Sequence, residues 1–140
     1  MSFRKSIIAL CVPLAVAMTA APPLAVAGDE TVTPKFEQQI PNIPGKSLVA
    51  VEVSYPPGGV SAPHHHAKSA FIMAYVLSGS IRSQVEGEPA RIYRTGESWH
   101  EAPNAHHIVS ENASKTEPAK LLAVFVVDSK DTPLTTPDQP

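Results

Sequence analysis

Apolar and polar residues alternate along much of the chain after residue 46, and this period of two residues is typical of β-strands with one buried face. In the run 49–55, Val49, Val51, Val53 and Tyr55 occupy every second position. The run 70–77 is instead apolar throughout, which predicts a strand buried on both faces. No stretch shows a convincing helical period.

Turns rich in Gly, Pro and Ser divide the rest of the chain into further short strands. Short strands separated by turns at about eight to twelve residues are typical of a sandwich or a barrel. We therefore predict an all-β domain with strands at 49–55, 70–77, 81–86, 90–94, 98–101, 107–110 and 120–128.

The predicted barrel, residues 47–128, is flanked by segments of different composition. Residues 28–46 are rich in Thr, Pro and Gln, and they predict an extended lead-in with an edge strand around 36–40. Residues 129–140 contain three prolines and few apolar side chains, so we expect a flexible tail there.

Residues 1–27 have the parts of a signal peptide. A basic head is followed by an apolar run at 7–18, which is shorter than the ~20 residues that a membrane span needs. Small residues at 25 and 27 predict cleavage before Gly28, and hence a periplasmic or secreted protein that leaves the membrane after cleavage. A lipoprotein anchored through Cys11 is disfavoured, because Leu10 stands where a small residue is needed.

Charge and cysteine content narrow the classes of function. Without residues 1–27, the eleven Lys and Arg fall to nine while thirteen Asp and Glu remain, a net charge of −4 with neutral histidines. Nucleic-acid binding calls for basic patches, so we exclude nucleic acid as a partner. Cys11 is the only cysteine, so disulfides cannot hold the mature domain together and a single hydrophobic core must do so.

All six histidines lie between residues 64 and 107, and five of them form two short clusters. On a strand, His64 and His66 point to one face and His65 to the other. Two imidazoles one residue apart can hold one metal ion, and neutral imidazole suits iron, manganese, zinc, nickel or copper. A third ligand must come from another strand. His106 or His107 can supply it, and only one of these neighbours can face the site.

The two clusters resemble, in order and spacing, the two motifs of the cupin superfamily. The first cupin motif has a glycine, five residues, His-x-His and a closing glycine, and the counterparts here are Gly58, His64, His66 and Gly79. The second motif runs from a glycine through a turn to a histidine and an asparagine, matched by Gly96, Pro103, Asn104, His107 and Asn112. The resemblance covers about residues 47–128. It implies a small single-domain cupin, a double-stranded β-helix or jelly-roll barrel, with a metal near one mouth.

The chain departs from these motifs at the metal-binding carboxylate. The motif's glutamate falls at Ile72, which cannot ligate a metal. Asn104 replaces the turn glycine, and asparagine tolerates the left-handed conformation. By spacing, His107 matches the motif's metal histidine better than His106. The resemblance therefore implies a metal site of His64, His66 and His107, with the fourth place open to Glu101, Gln84 or water.

A three-histidine site with open positions predicts metal-assisted chemistry on a small ligand. A redox metal favours a dioxygenase and a Lewis-acid metal favours an isomerase or lyase, with Glu101 as the candidate catalytic carboxylate. The missing motif carboxylate leaves the site more positive, which favours an anionic or phenolic ligand. A non-catalytic binding or sensor module is the alternative. Exposed edge strands leave a homodimer open as an expectation.

Overall fold

The computed structural model describes residues 29–139, which form two antiparallel β-sheets. The predicted signal peptide and Cys11 lie outside the described residues. No helix occurs between residues 29 and 139, so none there is long and apolar enough to cross a membrane. The strands are β1 (Thr31–Gln39), β2 (Lys46–Tyr55), β3 (Val60–Ser61), β4 (His64–His66), β5 (Phe71–Ser78), β6 (Ser80–Val85), β7 (Arg91–Arg94), β8 (Ser98–Glu101), β9 (His106–Asn112), β10 (Ala119–Asp128) and β11 (Thr135–Pro137).

The order of strands confirms the predicted jelly-roll architecture. One sheet has the order β1-β2-β10-β5-β8, and the other has the order β11-β4-β9-β6-β7, with β3 paired to β9. Neighbours within a sheet are mostly distant in sequence, because the chain passes repeatedly from one sheet to the other. At the centre of the first sheet, β10 pairs with β2 over ten residues, from Ala119–Tyr55 to Asp128–Lys46.

The hydrophobic core lies between the two sheets. Its largest fully buried side chains are Ile72 and Val76 of β5 and Ile81 of β6. The turn between these strands takes the chain from one sheet to the other, and it requires Gly79, whose φ is 72°. A Cβ atom at Gly79 would lie 2.7 Å from the carbonyl oxygen of Pro118, so no larger residue fits.

The prediction that β5 is buried on both faces is wrong. Its inward residues are buried, but four outward ones are between 38% and 46% exposed: Phe71, Met73, Tyr75 and Leu77. A continuous apolar run does not show which face of a strand is buried, because both faces carry apolar residues and no alternation is present. The outer face of β5 is thus apolar and exposed, and the expected homodimer stays a prediction.

Both flanking segments add strands to the barrel. The lead-in supplies β1, which is longer than the expected edge strand and pairs with β2 along its whole length. The segment expected as a flexible tail contains β11, whose Thr135 pairs with His66 and whose Thr136 pairs with His65. The Ala67 N–H also donates to the Leu134 carbonyl at 3.0 Å. Backbone pairing of this kind leaves no side-chain pattern in a proline-rich segment.

Candidate metal centre and cavity

Strands β4 and β9 bring five of the six histidines together. Their antiparallel register places His64 opposite His107 and His65 opposite His106. Because side chains alternate along a strand, His64, His66 and His107 point into the barrel while His65 and His106 point outward. Ligand nitrogens of the three inward histidines lie within 4.8 Å of one another. These three residues, termed the inner cluster, are the histidines that the resemblance implied as metal ligands.

The rings of the inner cluster surround one point. Their centroids are 4.8 Å apart for His64–His66, 5.2 Å for His64–His107 and 5.8 Å for His66–His107. Imidazoles that share an ion at about 2.0–2.1 Å have centroids roughly 4.5–5.2 Å apart. The observed separations are at most about 0.6 Å longer than this range. Small ring movements would therefore bring the three imidazoles onto one ion.

Hydrogen bonds select the nitrogen that two of these histidines present to the cluster. His64 Nδ1 lies 2.8 Å from the Ala62 carbonyl oxygen. A carbonyl can only accept, so Nδ1 carries the proton and Nε2 keeps a free lone pair. His107 Nε2 is hydrogen-bonded to the buried Ser83 hydroxyl at 2.8 Å, which leaves Nδ1 for the cluster. Partners of this kind orient histidines that bind metals.

A carboxylate joins the inner cluster from the other sheet. Glu101, at the end of β8, is 3% exposed, and its Oε2 lies 2.8 Å from His66 Nε2. Its Oε1 lies 3.4 Å from His107 Nδ1. Trp99, two residues earlier on the same face, donates its Nε1–H to Oε1 at 3.0 Å. Of the two side chains considered for a fourth ligand, Glu101 is the one that reaches the cluster.

Three buried polar atoms at this site have no hydrogen-bond partner among the described residues, namely both ring nitrogens of His66 and Oε2 of Glu101. His66 Nε2 and Glu101 Oε2 are close, at 2.8 Å, but they are not aligned for a hydrogen bond. Buried polar groups are nearly always partnered. Donor atoms that converge without satisfying one another are an arrangement that a cation completes, and three imidazoles with one carboxylate fit a divalent metal ion.

Burial and charge keep these groups in the protonation states that a metal requires. Burial lowers the pKa of His107 to about 4 and also lowers the pKa of His64, so both imidazoles are neutral near pH 7. At Glu101, burial acts to raise the pKa, but the contact with His66, the nearby His107 ring and the hydrogen bond from Trp99 together outweigh it, and the pKa is lowered. Neutral imidazoles and an ionised carboxylate are the ligand forms that metal binding needs.

The inner cluster lies in the wall of a cavity of about 180 Å³ between the sheets. Tyr55, on β2 of the other sheet, contributes to the lining a hydroxyl that lies 2.8 Å from both the Ser61 and the Ser110 hydroxyls. The C-terminal segment closes part of the cavity through Leu134, Thr135 and Pro137. The rest of the lining is largely apolar and includes Val51, Val53, Ile72, Leu121 and Phe125. This mixture is typical of a site for a small organic molecule.

A second group of metal-ligating side chains faces solvent on the other side of β4 and β9. The rings of His65 and His106 stack with their centroids 4.1 Å apart. Asp138 Oδ2 lies 2.8 Å from His106 Nε2, and Asp138 Oδ1 lies 3.9 Å from His65 Nε2. The hydrogen bond to Asp138 raises the pKa of His106. His65, His106 and Asp138 are termed the outer cluster, so His106, an alternate ligand in the sequence analysis, does not reach the cavity.

Gln84, the other alternate ligand, lies on the outward face of β6 and donates its Nε2–H to the Glu88 carbonyl at 3.0 Å.

The sequence analysis did not include Ser83 or Trp99 in the site. Trp99 could have been found, because it lies two residues before Glu101 and so shares its face. Asp138 lies beyond any periodic pattern, and no sequence signal pointed to it.

A family model described as a cupin domain matches residues 51–125, more than half of the chain. The chain belongs to the cupin family. A search of curated proteins found no match for this cupin.

Solved structures share the fold of this cupin at low sequence identity. An uncharacterized conserved protein with a double-stranded β-helix domain from Klebsiella pneumoniae has a TM-score of 0.61 at 17% identity, covering 80% of this chain and 86% of that chain. Oxalate oxidase in complex with the substrate analogue glycolate has a TM-score of 0.57 at 22% identity, covering 83% and 60%. The DMSP lyase DddQ from Ruegeria pomeroyi has a TM-score of 0.54 at 23% identity, covering 66% and 45%. This cupin thus spans at most 60% of the length of either enzyme.

The carboxylate of the cupin motif is displaced to a neighbouring strand in this chain. The motif places it at Ile72 on β5, and the register between β5 and β8 pairs Ile72 directly with Glu101. Residues paired in this way project from the same face, with Cβ atoms about 5 Å apart. Glu101 therefore presents its carboxylate to the space that a glutamate at position 72 would reach. Asn104, in place of the motif's glycine, adopts the left-handed conformation, with φ of 61°.

Proposed function

We propose that this protein is a metal-binding cupin that holds a small anionic or phenolic ligand at a metal ion bound by His64, His66, His107 and Glu101. The observation that carries the proposal is the set of unpartnered buried atoms of His66 and Glu101 in the cavity wall. The metal is iron, manganese, zinc, nickel or copper, since imidazole accepts each of these ions.

The charge balance of the site supports an anionic ligand. Neutral imidazoles and one ionised carboxylate leave a divalent ion with a residual positive charge, which a carboxylate or phenolate neutralises. The Tyr55 hydroxyl adds a polar group to the lining, where Ser61 and Ser110 hold it in place. The apolar lining accommodates the carbon skeleton of the ligand and excludes water from it.

We propose that the reaction belongs to the dioxygenase class or to the isomerase and lyase class. When bound, the metal supplies redox chemistry or Lewis-acid activation of the ligand. The residues of the chain orient the ligand, and Glu101, held ionised, is the acceptor available for a proton at the cluster. Among the similar structures, one is named an oxalate oxidase and another a DMSP lyase, so the fold accommodates both an oxidase and a lyase.

A non-catalytic binding or sensor module is the second candidate, and one observation favours it. Among the described residues that line the cavity, the carboxylates are Glu30 and Glu101. Glu101 accepts a hydrogen bond from Trp99 and lies against His66 and His107, so under this candidate it acts as a metal ligand and not as a mobile general base. A cavity of this kind can bind a ligand without transforming it.

Metal content tests the proposal first. The tag-free protein, dialysed exhaustively against metal-free buffer, should retain about one equivalent of a single metal. A variant with His64→Ala and His66→Ala should lose it, whereas His100→Ala, which removes an exposed histidine outside both clusters, should keep it. Absence of bound metal in the parent protein after reconstitution with each of the five metals would overturn the metal site.

A screen of small carbonyl and catechol-type compounds then separates the two candidate functions. Product formation by the metal-loaded protein, lost in the His64→Ala, His66→Ala variant, supports an enzyme. Saturable binding of a compound that is recovered unchanged supports the binding module.

We also propose that the protein is exported, on the pattern of residues 1–27 alone. The mass of the protein recovered from the periplasm or the medium should correspond to a chain that begins at Gly28. Recovery of the chain from the cytoplasm with Met1 still in place would contradict export.

A further inference from the structure

The outer cluster contains a second set of metal-ligating groups that the proposed function does not use. Donor atoms of His65, His106 and Asp138 lie within 4.8 Å of one another. Their side chains are open to solvent, with 50% exposure for His65, 36% for Asp138 and 19% for His106. A dissolved ion can therefore reach these donors without entering the cavity.

We propose that His65, His106 and Asp138 form a second divalent-cation site, which takes zinc or copper(II) and fastens the C-terminal strand β11 to the barrel. Imidazole and carboxylate together are ligands that both ions accept.

The spacing of the donor atoms suits a shared metal ion. Two ligand atoms on a tetrahedral ion with bonds of about 2.0–2.1 Å lie about 3.3 Å apart. The two oxygens of Asp138 lie 2.8 Å from His106 Nε2 and 3.9 Å from His65 Nε2, on either side of that value. The stacked rings, 10° from parallel, must tilt toward a common point. Half of the His65 side chain is exposed, so its ring has room to tilt.

The position of His65 also indicates a cation. An ion pair between His106 and Asp138 accounts for two of the three residues without a cation. It does not account for His65, whose ring nitrogen faces the other oxygen of the same carboxylate. A second carboxylate, Glu86, places its Oε2 3.5 Å from His106 Nδ1 and makes the surroundings more negative. Two carboxylates beside two imidazoles attract a cation.

The position of Asp138 links this site to the cavity. It follows β11 directly, and its N–H donates to the Pro63 carbonyl at 2.9 Å. β11 pairs with β4, and Thr135 and Pro137 of β11 line the cavity. A cation that joins Asp138 to β4 and β9 therefore holds one wall of the cavity in place.

Zinc titration of the metal-depleted, tag-free protein tests the site, with calorimetry as the readout. The parent protein should bind a second equivalent of zinc in addition to the one at the inner cluster. His65→Ala should remove only the second equivalent, and Asp138→Asn should weaken it by at least about tenfold. The variant with His64→Ala and His66→Ala should retain the outer equivalent, and the control His100→Ala should retain both.

Hydrogen exchange at the amides of Thr135 and Thr136 tests the fastening of β11. Zinc at concentrations that fill the second site should slow this exchange in the parent protein and leave it unchanged in His65→Ala. That variant keeps the contact between His106 and Asp138, so it separates the effect of the cation from that of the ion pair.

Two results would overturn the inference: no second equivalent in the parent protein, or a second equivalent that survives both His65→Ala and Asp138→Asn. Zinc binding that leaves β11 exchange unchanged would overturn the fastening role. Failure of the inner site is distinguishable, because it removes the equivalent that depends on His64 and His66 and leaves the one that depends on His65.

Discussion

Two histidine–carboxylate contacts of equal length occur on opposite sides of strands β4 and β9. Inside the barrel, His66 Nε2 and Glu101 Oε2 are 2.8 Å apart, with side chains 6% and 3% exposed. Outside, His106 Nε2 and Asp138 Oδ2 are also 2.8 Å apart, with side chains 19% and 36% exposed. The distances are the same and the surroundings differ. Burial therefore determines how much each contact contributes to stability, because water screens the outer contact and leaves the inner one unscreened.

The largest expected effect comes from removing the inner carboxylate. In the metal-free protein, Glu101→Ala leaves the buried Nε2 of His66 and the half-buried Nε1–H of Trp99 without a neighbouring acceptor, and should lower the free energy of unfolding by about 1–3 kcal/mol. Urea denaturation of chelator-treated protein measures this change. Glu101→Gln, which keeps the volume and an acceptor for Trp99, should have a smaller effect. A loss from Glu101→Ala no larger than that from Asp138→Asn would contradict the role of burial.

The two clusters should respond to pH in opposite directions in the metal-free protein. The pKa of His107 is about 4 in the folded state against 6.5 ordinarily, so acidification below pH 6.5 protonates the unfolded chain first and stability falls. The pKa of Glu101 is also lowered, and its contribution is lost as pH falls through the folded value. The pKa of His106 is raised, so its contribution is present below pH 6.5 and is lost as pH rises through the folded value.

Melting temperature as a function of pH reports the inner cluster, and hydrogen exchange in β11, corrected for intrinsic rates, reports the outer one. The melting temperature should fall on acidification from pH 6.5, and β11 should lose protection on moving to alkaline pH. Protection of β11 that increases with pH would contradict the outer assignment.

The smallest effect is expected for Asp138→Asn in the metal-free protein. Exposed ion pairs contribute up to about 1 kcal/mol to stability. The substitution should therefore lower the free energy of global unfolding by less than that. Chemical denaturation measures the free energy of global unfolding. Arg82→Ala, which removes another exposed ion pair at 2.8 Å, is the matched control. A loss from Asp138→Asn that clearly exceeds the loss from Arg82→Ala would show that the outer contact supports more of the fold than its exposure indicates.

Much of the inner site follows from sequence, because strand periodicity is a local property. The separation of His65 from His64 and His66 needs only the alternation of side chains along β4. The choice of His107 over His106 came from the resemblance to the cupin motif, and the β4–β9 register agrees with it. The class of fold followed from the short alternating runs and the turns between them.

The remaining features depend on pairing between strands that are distant in sequence, which no local pattern encodes. Glu101, Gln84 and water were all open as the fourth ligand until the register placed Glu101 opposite Ile72. Strand β11 and Asp138 were missed because a short edge strand is held by backbone hydrogen bonds rather than by apolar side chains. The exposed face of β5 was missed because an apolar side chain alone does not show whether anything covers it.

The short ladder between β5 and β8 has a consequence for the chemistry of the metal site. Its four residue pairs run from Ile72–Glu101 to Tyr75–Ser98. A shift of one residue in a ladder turns every side chain to the opposite face. Insertion of a single residue into the turn 95–97 would thus place His100 opposite Ile72 and direct it inward in place of Glu101. The metal would then be held by imidazoles alone, without a carboxylate. The length of this turn therefore determines which type of metal centre the barrel can form.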